Sequence, residues 1–136
     1  MSTQKFALAS LAGGVTLFAL GGIFYGWLLM DFFEANSGTA TGAMKETPMW
    51  LYLGLGQLVF AALLTTVIGK WAGVSGAGSG FQVGAVFGLL LAVSMNLSFL
   101  GVMNITTPTA AIVDVILSTL NVGIAGAVIG VVLGRS

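Results

Sequence analysis

The sequence predicts an all-α fold: an integral membrane four-helix bundle with its N-terminus and C-terminus both cytoplasmic. Three observations predict it. Of 136 residues, 57% are hydrophobic and 6% charged, against roughly 25% charged residues in an ordinary soluble domain. Four apolar runs, at 6–30, 48–69, 81–103 and 109–134, are each long enough for a hydrocarbon core of ~30 Å at ~1.5 Å per residue. The basic residues are partitioned: Lys5, Lys70 and Arg135 fall on one side of a four-span chain and Lys45 on the other, which the positive-inside rule assigns as cytoplasmic and external. A single transmembrane domain over 1–136 follows.

The first run starts after Lys5 and continues to Met30 without a polar break, too long for the hydrophobic region of a secretory signal, so it reads as an uncleaved helix. Its end, "FYGWLLMDFF", together with Trp50 and Tyr52, fits an aromatic belt at the outer interface, and Trp71 marks the inner one. Residues 31–47 form the longest polar connection and carry Asp31, Glu34, Lys45 and Glu46. The second and fourth helices each open on Thr-Pro (Thr47-Pro48 and Thr107-Pro108), an N-cap followed by a proline whose missing N–H costs the first turn nothing. Each closes on an apolar-Gly-basic end, "VIGK" and "VLGR". Between the second and third helices "WAGVSGAGSG" reads as a flexible turn, and "NITTP" makes the last connection tight. The sequon at Asn104 lies too near the membrane to carry an argument.

The chain holds 21 glycines, and many fall four residues apart: Gly22 and Gly26, then Gly84, Gly88 and Ala92, then Gly126, Gly130 and Gly134. Small residues at this spacing let helix backbones approach in lipid, where the hydrophobic effect between helices is lost. These stripes are candidate packing seams, for a neighbouring helix or for another copy of the protein.

The polar residues inside the spans are few. At ~100° per residue, with Asp114 at zero, Ser118 lies near 40° and Asn121 near 340°, whereas Gly126, Gly130 and Gly134 fall at ~120–200°. The last helix therefore carries a polar stripe on one face and a glycine seam on another. Gln57 in the second helix and Asn96 in the third fall at a similar depth to Asp114, ~9–14 Å from their outer helix ends. Buried polar groups in hydrocarbon require partners, so Asp114, Asn96 and Gln57 are expected to cluster, continued by Ser118 and Asn121, with Tyr25 and Tyr52 nearer the rim. A carboxylate at a helix centre costs about 2.5–3.5 kcal/mol on insertion scales and less toward the interface. Asp114 therefore marks either a binding or proton-coupling site or a tie between helices.

Several chemistries are excluded. Without cysteine or histidine there is no thiolate nucleophile, disulfide or usual zinc site; a formal net charge of zero leaves no basic patch for nucleic acid. Ser94, Ser98 and Ser118 lack a neighbouring base within the spans, and one carboxylate supplies neither an acid/base pair nor a metal cage. No catalytic residue, cofactor or metal is expected.

The first-helix ending "GGIFYGWLLM", the glycine-spaced "GAVFGLLLAVSMN" and the aspartate of the last helix resemble the small bacterial integral membrane proteins grouped as domain of unknown function 1761, over nearly the whole chain. The resemblance implies a four-helix fold and a bacterial inner-membrane location, and no activity. The expected function is that of a non-enzymatic structural or accessory subunit, packing through glycine seams into a homo-oligomer or a larger membrane complex, with the lipid bilayer and other membrane subunits as its partners. The alternative is a small oligomeric transporter or channel with an Asp114-centred polar path.

Overall fold

The computed structural model describes residues 2–36, 38–39, 50–102, 104 and 106–135, and all regular structure among them is helical. Helix α1 (Thr3–Ile23) continues as a π-helical turn, Phe24–Leu28, and is followed by a short α2 (Met30–Ala35). Helix α3 (Trp50–Thr65) also ends in a π-helical segment, Thr66–Trp71; α4 spans Ala77–Val102 and α5 spans Pro108–Gly134. The four long elements are each apolar and long enough to cross a membrane.

The boundaries follow local chemistry and packing. Ser2 caps α1, its hydroxyl accepting from the Lys5 N–H at 3.1 Å, so the helix starts three residues before the apolar run. Thr107 caps α5 by accepting from the Ala110 N–H at 3.3 Å, with Pro108 in the first turn. The matching Thr47-Pro48 start, with Lys45 and Glu46, lies outside the described residues. Two segments expected to be loop are helical. Met30–Ala35 forms α2, and Ala77–Gly80 belongs to α4, leaving only 72–76 as the turn. That turn places Gly73 at φ +67° and Gly76 at φ +98°, a left-handed backbone that glycine adopts without a Cβ clash. The Gly76 N–H then donates to the Gly130 carbonyl at 2.8 Å; this contact with α5 orders a glycine-rich stretch whose propensity alone is poor.

Helix α1 runs antiparallel to α3 and α5, and α4 antiparallel to α5. The Lys5 ammonium donates to the Leu133 carbonyl at 3.2 Å, joining the start of α1 to the end of α5. At the opposite end the Thr107 hydroxyl donates to the Asn36 carbonyl at 2.6 Å. Helix α5 is the central element, packed on α4, α1 and the end of α3; 44% of its apolar window is buried, against 22% in each other span. The buried core of Ala9, Leu17, Ala61, Leu64, Ile68, Val122, Ala125 and Ile129 fills the half of the bundle nearer the termini. Many large apolar side chains face outward, Val59, Leu97 and Ile112 among them, which lipid tolerates and water would not.

The α4–α5 contact is made by backbone against backbone. A Cβ at Gly80 would strike the Gly126 carbonyl oxygen, one at Gly84 the Val122 oxygen, and one at Gly130 the Gly76 oxygen. At Gly88 it would meet the Val122 Cβ at 2.7 Å and the Ser118 carbonyl oxygen at 2.9 Å. The seam anticipated along α5 is thus filled by α4 of the same chain. Gly134 makes only ordinary contacts, and a Cβ at Gly22 or Gly26 meets nothing within 4 Å, so that pair belongs to no seam among the described residues. Gly13 and Gly14, which the spacing did not single out, do pack closely, against Ile129 of α5 and Leu58 of α3.

Candidate functional site

Asp114 sits a little under two turns into α5, half-buried, and both its carboxylate oxygens accept hydrogen bonds from other helices. Its Oδ1 accepts from the Tyr25 hydroxyl at 2.5 Å. Its Oδ2 accepts from Asn96 Nδ2 at 2.6 Å, and the same amide donates to the Ala92 carbonyl one turn back at 2.8 Å. One carboxyl side chain therefore joins the π-helical turn after α1, α4 and α5. Ser118 lies one turn along α5 from Asp114, on the same side of the helix.

Each donor is positioned by its own element. Asn96 is buried at the end of the α4 face that carries Gly80, Gly84, Gly88 and Ala92, so the glycine seam that brings α4 onto α5 also delivers the amide to Asp114. Tyr25 stands in the π-helical turn, a local widening that recurs at functional positions. Its ring stacks on Phe33 of α2 with centroids 5.0 Å apart, and Phe33 in turn meets Phe32 edge-on at 5.3 Å. Helix α2 thus braces the tyrosine from outside.

Of the residues singled out in sequence, the structure brings Asp114 and Asn96 together, with Tyr25 on the other carboxyl oxygen. Tyr25, expected at the rim, is a direct partner. Tyr52 is 66% exposed and has no part in the cluster. Gln57 makes no hydrogen bond to Asp114 or Asn96 among the described residues. The reason is register: Gly14 of α1 lies against Leu58 and Phe18 near Gly54, so Gln57 is level with residues near Val15, some ten residues or ~15 Å of helix rise below Tyr25. Asn121 is buried on the Asp114 face of α5, and its Oδ1 has no hydrogen-bond partner among the described residues. Deeper still, the Ser10 hydroxyl donates to Thr65 Oγ1 at 3.4 Å and Thr65 to the Ala61 carbonyl at 2.7 Å, a pairing of α1 with α3 that the sequence reading missed. The signal for it is helical spacing, which puts Gln57, Ala61 and Thr65 on one stripe of α3.

Fold and site together define a class: a small all-helical protein with four apolar helices, consistent with a membrane protein, and a carboxylate bonded between three of them. No family model, curated protein or solved structure matches the chain.

Proposed function

We propose that this is a non-enzymatic multi-pass protein of the cell membrane, the inner membrane of a bacterium, serving as a structural or accessory subunit. It packs laterally against copies of itself or against other membrane subunits. The observation that carries the reading is the engagement of Asp114: both oxygens are held by Tyr25 and Asn96, the arrangement of a tie between helices. Other hydroxyls are similarly spent, those of Thr16, Thr66, Ser98 and Thr119 donating to carbonyls one turn back in their own helices. With the α4–α5 seam filled internally, Gly22 on α1, Gly26 in the π-helical turn after it and Gly56 on α3 are among the helical glycines with room for a partner backbone, as are Gly21, Gly78 and Gly101. Cytoplasmic termini are supported by Lys5, Lys70 and Arg135 at one end of the bundle, and kinship with the domain-of-unknown-function-1761 proteins belongs to the same proposal.

The test is copy number in lipid, read by photobleaching steps of a tagged chain in native-membrane nanodiscs. More than one copy or a fixed co-purifying subunit is expected, lost in Gly22→Leu or Gly56→Leu while Asp114→Asn retains it. A lone chain at every density contradicts the reading.

One observation favours the second reading, a small transporter. Asn121 continues the stripe of Asp114 and Ser118 with an acceptor that has no partner among the described residues, as a polar path would. Asp114→Asn abolishing cation-dependent flux in proteoliposomes would select it.

A further inference from the structure

We infer that residues 24–36 form a strap, hinged at Gly21 and Gly22 and latched on α5, which opens while the rest of the bundle stays packed and so frees one oxygen of Asp114. The inference goes beyond the subunit reading and holds for either function, because it concerns access to Asp114.

Below the hinge α1 is clamped. Ala9, Ser10, Gly13, Gly14 and Leu17 are buried; Gly13 lies against Ile129 and Ala61, and Gly14 against Leu58. Above it the clamp ends. A Cβ on Gly21, Gly22 or Gly26 would meet nothing within 4 Å, and no side chain of the π-helical turn or of α2 is buried. These two elements pack chiefly on each other and on the end of α1, with Phe33 stacked on Tyr25. A segment with few buried apolar contacts opens locally at a fraction of the global unfolding free energy.

The backbone supplies the joints for such a hinged motion. Adjacent glycines weaken the helix at 21 and 22, the π-helical turn that follows departs from the regular α-helical ladder, and Leu29, at φ −115° and ψ 14°, interrupts the chain before α2. The latch is polar and has two points. The Tyr25 hydroxyl donates to Asp114 Oδ1 at 2.5 Å, and at the far end of the strap the Asn36 carbonyl accepts from the Thr107 hydroxyl at 2.6 Å. Asn96, which holds Oδ2, belongs to α4 and not to the strap. Opening therefore leaves the carboxyl anchored by one oxygen and available at the other.

Double electron–electron resonance on the full chain in lipid nanodiscs tests this, since the sequence has no native cysteine to interfere. Spin labels at Ala35→Cys and Val59→Cys read the strap against α3; labels at Val15→Cys and Leu97→Cys read the bundle below the hinge, and all four positions are exposed. Dilution with unlabelled chain removes distances between copies. Removing both latch donors, with Tyr25→Phe and Thr107→Ala together, should shift the Ala35–Val59 distances into a broad second population absent from wild type, with Val15–Leu97 unchanged. Unchanged Ala35–Val59 distances, or equal broadening of both pairs, overturns the inference. Should the double variant not fold, Thr107→Ala alone, expected to broaden the strap pair only, decides by the same outcomes. Neither pair reads copy number or flux, so failure here is distinct from failure of the functional reading.

Discussion

The carbonyl oxygen of Gly126 occupies the place where a β-carbon on Gly80 would stand. Because both partners are backbone, neither can rotate away from an added side chain. Gly126→Ala must push α4 off α5, at a cost of about 1–3 kcal/mol by comparison with other overpacked sites. Gly22→Ala, with nothing within 4 Å, should stay within about 0.5 kcal/mol of wild type. Reversible unfolding in mixed micelles measures both, and equal effects would contradict the assignment of the seam.

The same seam sets the position of Asn96. Helix α4 repeats a small residue every four positions from Gly80 to Ala92 and then places the amide on that face, so displacing α4 at Gly84 also draws Asn96 from Asp114. Gly84→Ala should therefore shift the Asn96 side-chain amide resonance, a remote effect that an unlinked seam and site would not produce.

The spans, their small-residue stripes and the joint presence of Asp114 and Asn96 were legible in the sequence because each rests on spacing along one helix. What was not legible depends on register between helices. Gln57 has the right residue type and an apparently similar depth, but the packing of Leu58 on Gly14 slides it inward. Tyr25 looked like an interfacial anchor until the π-helical turn and the stack on Phe33 aimed its hydroxyl at Asp114. Ala77–Gly80 reads as a linker by propensity and is helical because its backbone packs on α5.

The turn before α4 isolates a purely conformational effect. Gly73 has φ +67° and nothing within 4 Å of an added Cβ, so Gly73→Ala should cost about 1–2 kcal/mol through the left-handed backbone alone. Gly78→Ala, helical and equally open, should be neutral or stabilising by up to about 1 kcal/mol. Thermal unfolding of the two variants side by side checks the contrast.

Thr107 both caps α5 and holds the end of α2, accepting from the Ala110 N–H and donating to the Asn36 carbonyl. Thr107→Ala should cost about 0.5–2 kcal/mol and raise hydrogen exchange at Ala110. Thr107→Ser, which keeps the hydroxyl, should restore most of both.

The central claim is that Asp114 is a tie between helices, and a double-mutant cycle in lipid bicelles tests it most directly. Tyr25→Phe removes one donor and keeps the ring against Phe33; Asp114→Asn replaces one acceptor oxygen with a donor. A coupling of about 0.6–1.7 kcal/mol between the two substitutions, within the measured range for intramembrane hydrogen bonds, is the predicted result. Strict additivity, with each single variant as stable as wild type and cation flux lost in Asp114→Asn alone, would contradict the tie.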